Sequence, residues 1–387
     1  MNQLKPGTPD QACMNSDRVA LAEDYTRKLA EDATVSAAVI LTARNGIVFS
    51  KKAYGRLIHD DSGSCITTDA IFPVASISKT VVATCIMVLV EQGLVDITQK
   101  VGRFLPEFRK DPLKDLQVYH FVTHTSGLTD ECIGLHRAQV DEDFNPSLVP
   151  ANQHPFIYKK LQAIYRSTPV WKPLEFMSYC NNGYEVLAEI IRVVTGLSLS
   201  EFADKHLFQP LGMKDTHFVL PEEKRSRVVH RPDDFDGGSW FNDPVHAILP
   251  TASGGLYSTV SDMGIWGQMY LNKGCYGNIR ILSRPTVTEI TKDQIPDVPA
   301  KWDGEGFKKS LWGYGWNIRG TKKDDSGTIC SELTYSQSGL GGAFIWIDPA
   351  YNLVGVFFST VRKQIEPWVP KKHHNRFVNI ITSAVSD

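Results

Sequence analysis

The chain has 387 residues, 42% of them hydrophobic and 22% charged, with a formal net charge of −2. These are the proportions of a globular protein with a sizeable core, and the balanced charge leaves no electrostatic case for nucleic acid or an acidic membrane surface. No apolar run is long enough to cross a bilayer, and the opening MNQLKPGTPDQACMNS lacks the apolar stretch of a secretory signal.

Seven cysteines stand at 13, 65, 85, 132, 180, 275 and 330, without a C-x-x-C pair. An odd number of scattered thiols fits a reducing compartment, so the expected location is the cytoplasm. There is no internal repeat and no low-complexity linker.

In chain order, Ser16 or Asp17 is placed to cap an amphipathic helix running to about Asp32. VSAAVILTA and IVFSKKAYG then flank Asn45-Gly46, the strongest short hairpin signal. In IFPVASISKTVVATCIMVLVEQGLVD, the residues Val81, Val82, Cys85, Ile86, Met87, Leu89 and Val90 leave no polar face before Glu91 and Gln92, and Gly93 stops the helix. Roughly 101 to 255 is mostly helical: NGYEVLAEIIRVVTG is a helix ending at Gly196, and a short one follows from Ser200. Just beyond, Ser258 caps STVSDMGIWGQMYLNKG. The stretches Arg231 to Gly255 and Ile295 to Lys309 read as irregular, with Trp240, Phe241, Trp302 and Phe307 as loop anchors rather than pocket walls. AFIWIDP and LVGVFFST form a second hairpin around Asp348 to Asn352. A closing helix starts near His373, where Lys371, Lys372, His373 and His374 read as a solvated helix start rather than a metal site. A sheet built from both ends of the chain, with helices before and after it, predicts an α/β sandwich of antiparallel strands.

Ser76 and Lys79 form an S-x-x-K box at the start of the apolar helix. A hydroxyl and an amine three positions apart on a helix lie one turn apart on the same face. The amine can then take the proton that an unassisted serine must lose before attacking an acyl carbon. Free N–H groups and the dipole at the helix N-terminus stabilise a developing oxyanion. A lysine opening so apolar a helix is desolvated, which lowers its pKa toward that of a useful base. Alone the box is weak. A chain of this length carries about one or two chance matches, most of them a capping serine with an exposed lysine.

FPVASISKT, THTSGLTDE, FMSYCNNGYEVLAEIIRVVTG, PLGMKDTHF, TASGGLYSTVSDM and GAFIWIDP, in this order, resemble the serine β-lactamase-like superfamily over about residues 20 to 385. The similarity is to the branch of class C β-lactamases, family VIII carboxylesterases and D-aminopeptidases, with lovastatin-type acyltransferases. The resemblance implies the β-lactamase/transpeptidase-like fold. Residues 15–100 and 256–387 would form a discontinuous α/β domain, with a mainly helical domain, 101–255, inserted and the site between them. It implies Ser76 as nucleophile, Lys79 as its base and Tyr179 as a partner base. A phenol near a cationic amine can ionise below its usual pKa and relay a proton between the serine oxygen and the leaving group. A buried tyrosine with a satisfied hydroxyl is the alternative. Asn181, in Tyr179-Cys180-Asn181, offers an amide to Lys79 or to the acyl side chain; a turn residue beside Asn182-Gly183 is the other reading. His124 reads as structural.

The chain departs from the family at the third box, where Lys-Thr-Gly or His-x-Gly is usual and Gln337-Ser338-Gly339 stands here. Glutamine offers amide hydrogen bonds but no cation for a substrate carboxylate, unless an arginine such as Arg319 or Arg362 supplies one. Gly339 lets the strand approach the substrate, and the N–H of Leu340 is expected to join that of Ser76 as an oxyanion donor. Pro173-Leu174 replaces the usual P-G, without an evident consequence.

The leading expectation is a serine esterase or acyltransferase that forms an acyl-enzyme with a small, largely neutral ester, lactone or thioester, with or without a second small-molecule acceptor. The alternatives are a β-lactamase or D-amino-acid peptidase, and a non-catalytic ligand-binding or scaffold member. No cofactor, metal, nucleic acid or membrane is expected, and the sequence leaves the oligomeric state and the acyl group open.

Overall fold

One hairpin from each end of the chain meets the other edge to edge, and the seam between them organises the molecule. The computed structural model describes residues 3–58, 64–235, 237–302, 305–307, 309–323, 326–361 and 373–386. Strand β1 (Lys5–Pro6) precedes helix α1 (Ser16–Glu31), and the first hairpin joins β2 (Val35–Arg44) to β3 (Ile47–Gly55). Asn45 and Gly46 both take left-handed φ, 55° and 81°, as the tight turn between twisted strands requires.

Helix α2 (Ser78–Glu91) follows, and every residue from Ser78 to Leu89 is buried. Each large aliphatic side chain there contributes about 1.5–3 kcal/mol of burial, which anchors the start of α2. The middle of the chain carries α3 (Pro155–Tyr165), the short strand β4 (Met177–Ser178) and α4 (Asn182–Thr195), which ends at left-handed Gly196. Helix α5 (Val260–Leu271) leads back to the main sheet.

Next come β5 (Ala300–Trp302), β6 (Glu305–Phe307), β7 (Asn317–Ile318), β8 (Tyr335–Gly339), β9 (Ala343–Asp348), β10 (Leu353–Val361) and α6 (His374–Ser383). The seven-stranded sheet runs β1-β3-β2-β10-β9-β8-β7. Its central register pairs Phe357 with Ile40 and Val356 with Leu41. Side chains alternate across it. Ala38, Ile40, Phe344, Trp346 and Phe357 join Phe377 on one face, while Val39, Leu41, Ile345 and Val356 join the large core that includes α2 and α5 on the other.

The structure corrects several expectations. The sheet is mixed, because β1 pairs parallel with β3. Asn15 caps α1, accepting from Arg18 N, and Thr259 caps α5. The stretch read as irregular after Ile295 contains β5, which pairs with β6 and in parallel with β4, aligning Lys301 with Ser178. His374 is buried and stacked on Phe344 at 3.9 Å, so α6 does not open on a solvated histidine. Lys371, Lys372 and Arg362, and the side chains of Trp302 and Phe307, lie outside the described residues. Among the described residues, no helix is long and apolar enough to cross a membrane.

Candidate active site

Ser76 sits in a 3-10 turn, Ala75–Ile77, that runs directly into α2. The residue before it, Ala75, holds φ at 45°, a costly conformation for a side chain with a Cβ. Ser78 secures the turn: its hydroxyl donates to the Ala75 carbonyl at 2.6 Å and accepts from Leu256 N at 3.1 Å. The nucleophile candidate is therefore held on a strained, well-tied first turn.

Lys79 is completely buried. Its ammonium donates to Ser76 Oγ at 3.0 Å, Asn181 Oδ1 at 2.8 Å and the Ser253 carbonyl at 2.7 Å. Burial lowers its pKa from 10.5 to about 7, against the opposing pull of the Asp130 and Glu185 carboxylates. The sequence reading of a desolvated lysine agrees with this direction. Near neutral pH the amine exists in both forms, and the neutral one can accept the Ser76 proton.

Tyr179 behaves differently from expectation. Its hydroxyl hydrogen-bonds Ser76, but burial drives its pKa upward, well above the usual phenol value. Lys79 Nζ lies over the ring face, 4.7 Å from the centroid. Tyr179 is thus a neutral phenol at the serine, suited to give a proton before it takes one. His124 stacks on the same ring at 4.3 Å and accepts from Cys180 N through Nδ1 at 3.2 Å. Burial holds the imidazole neutral, with its pKa lowered to about 3.

Two carboxylates escaped the sequence reading. Asp130 accepts from the backbone and side-chain nitrogens of both Asn181 and Asn182, at 2.7–3.0 Å. These donors outweigh burial and keep its pKa below the usual carboxylate value. Glu185, fully buried on α4, accepts from Ala252 N at 3.1 Å and pairs with Lys160 at 3.0 Å, steadying the loop that offers the Ser253 carbonyl to Lys79. The only sequence signal for Asp130 was its place beside Thr129 in THTSGLTDE.

Strand β8 forms the opposite wall. Gln337 is 4% exposed, and its amide donates to the Gly315 carbonyl at 3.1 Å and accepts from Ser338 N at 3.1 Å. Its polar atoms therefore tie backbone. A Cβ at Gly339 would stand 2.2 Å from the Val74 carbonyl, so only glycine lets β8 press against the turn that carries Ser76.

Ser76, Tyr179, Asn181, Gln337, Ser338, Gly339 and Leu340 line one cavity of about 1280 Å³, larger than a small ester requires. Trp240 and Phe241 line it too, contrary to their reading as loop anchors alone. Arg319 spends its guanidinium on the Gly320, Gly327 and Thr328 carbonyls and is not part of the lining. A cation on the wall is instead Lys301, whose Nζ lies 3.8 Å from the Trp171 ring centroid and 4.2 Å from that of Phe176.

Comparison with known proteins agrees with this architecture. Residues 21–379 match the family profile described as Beta-lactamase. The structure is similar to EstCE1, described as a hydrolase with promiscuous acyltransferase activity, at a TM-score of 0.74 and 18% identity over 98% of this chain and 99% of that one. A novel penicillin-binding protein homologue from Caulobacter crescentus gives 0.75 at 17% identity, covering 96% and 98%. Simvastatin synthase (LovD) from Aspergillus terreus gives 0.70 at 18% identity, covering 95% and 98%. At these identities the likeness shows a shared β-lactamase/transpeptidase-like fold.

Proposed function

The chain belongs to the Beta-lactamase family, and on that premise we propose that it is a serine esterase or acyltransferase acting through an acyl-enzyme on Ser76. The observation that carries this reading is the 3.0 Å contact between a buried, pKa-lowered Lys79 amine and Ser76 Oγ. Neutral Lys79 takes the serine proton as Oγ bonds to the acyl carbon. The Ser76 and Leu340 N–H groups receive the oxyanion. As the bond from the carbonyl carbon to the leaving atom breaks, that atom takes the Tyr179 proton, and the Lys79 ammonium restores the phenol. Water or an alcohol then reverses these transfers to release the acyl group.

The substrate class follows from the walls. Gln337 places no cation on β8 and spends its amide on Gly315 and Ser338, so the favoured donor is an ester, lactone or thioester that is neutral where it faces that strand. A β-lactamase or D-peptidase would need a cation there for the substrate carboxylate. The test is a fluorophosphonate probe followed by intact mass, with 4-nitrophenyl esters assayed in parallel. A single adduct and turnover, both lost in folded Ser76→Ala, are expected. Retention of a tenth of the wild-type rate in that variant would remove Ser76 from its role.

A further inference from the structure

We propose that Asp130 is a positioning residue for Lys79, the anionic end of a relay that runs Ser76–Lys79–Asn181–Asp130. This deepens the acyl-transfer reading and rests on it. The relay is built on one amide. Asn181 Nδ2 donates to Asp130 Oδ2 at 2.8 Å, and Asn181 Oδ1 accepts from Lys79 Nζ at 2.8 Å. An asparagine amide can present either end, and donating to Asp130 fixes which end faces the lysine. With the amide reversed, its NH2 would oppose the Lys79 ammonium.

The carboxylate is itself anchored beyond what a passing ion pair needs. Oδ2 also accepts from Asn181 N at 3.0 Å, while Oδ1 accepts from Asn182 N at 2.9 Å and Asn182 Nδ2 at 2.7 Å. The Cys180 thiol approaches Oδ1 at 3.4 Å. Those backbone donors lie at the N-terminus of α4, so Asp130 joins the helix end to the lysine. Lys79 gains charge as it takes the serine proton, and a fixed anion behind Asn181 stabilises the ammonium as it forms. Asp130 borders the same cavity, and it acts on Lys79 through the Asn181 amide.

Other groups around Lys79 set the background. Glu185 on α4, whose pull on Lys79 is weaker than that of Asp130, is paired with Lys160 on α3. Tyr179 faces the amine with its ring, and Tyr184 on α4 does so at 5.6 Å. Cys180 is a protonated thiol, its pKa raised by burial, and His124 is neutral. Asp130 is thus the carboxylate that reaches Lys79 through a single oriented amide.

Asp130→Asn keeps the shape and removes the charge. Without the anion the ammonium is less favoured, so the Lys79 pKa falls. The acid limb of kcat/KM for a 4-nitrophenyl ester then moves down by about one pH unit, while the plateau falls about tenfold or more and KM changes little. Asn182→Ala loosens the same carboxylate without touching the amide bridge, and should leave the limb in place. NMR titration of the Lys79 ε-carbon, in ¹³C-lysine-labelled wild type and Asp130→Asn, reads the same shift without turnover. An inactive wild type would therefore defeat the esterase reading and leave this test standing. Should Asp130→Asn not fold, Asn181→Ala cuts the bridge and is expected to lower the Lys79 midpoint as well. An unchanged midpoint in a folded variant overturns the proposal, as does a fall in plateau with the limb unmoved, which is what a purely structural role would give.

Discussion

Lys79→Met separates what the lysine does for chemistry from what its burial costs the fold. In the folded protein the amine titrates at about 7 rather than 10.5, so between those values the unfolded chain binds more protons than the native one. Stability therefore rises with pH across that window. Working the linkage through at 2.303RT per unit of pKa, the burden on the native state is about 4 kcal/mol at pH 7 and about 2 kcal/mol at pH 9. Methionine carries no such term. The absolute stability change on substitution also includes hydrogen-bond acceptors stranded at Asn181 and Ser253, but those losses do not titrate here. Their difference in slope is what matters: from pH 7 to pH 9, wild type should gain about 2 kcal/mol relative to Lys79→Met. Urea unfolding of both proteins at pH 7, 8 and 9 measures it. Activity supplies the other half, since kcat/KM for a neutral ester should climb through a midpoint near 7 and then level, and Lys79→Met should fall by at least about 10²-fold. Parallel stability curves for the two proteins would mean that Lys79 is not depressed and cannot serve as a neutral base at physiological pH.

Tyr179→Phe should slow both acylation and deacylation by about 10²-fold. Combined with Lys79→Met it should cost much less than the product of the two losses, because residues acting as one unit are non-additive; losses that multiply freely would refute the shared relay. Penicillins should be poor substrates beside neutral esters, and Gln337→Lys should shift the kcat/KM ratio toward them by about five- to tenfold. Turnover of a penicillin by the unmodified protein at the rate of its best ester would reverse the significance given to Gln337.

Local pattern made part of this molecule legible. The Asn45-Gly46 turn, the strands of both hairpins and helix α4 follow from turn chemistry and from periods of 2.0 and 3.6 residues, which depend on near neighbours only. Ser76 and Lys79 were legible for the same reason, since one helical turn fixes their contact, and the apolar run after them already implied desolvation. Tyr179 shows where that reasoning stops. Its proximity to an amine suggested a lowered pKa, yet the amine meets the ring face, and burial against the rings of His124 and Trp312 drives the phenol the other way. The sign of such a shift depends on a balance between desolvation and partner geometry, and neither is encoded in spacing. Asp130 and Glu185 lay out of reach for a related reason. Each acts on Lys79 across more than fifty residues of chain, through a side-chain amide in one case and a loop carbonyl in the other. A buried acid is costly unless donors converge on it, so their presence in the sequence carried no meaning until the fold supplied those donors. The candidate site is therefore divided: Ser76 and Lys79 come from one helical turn, while the groups that set the charge state around them come from three separate segments brought together only by the fold.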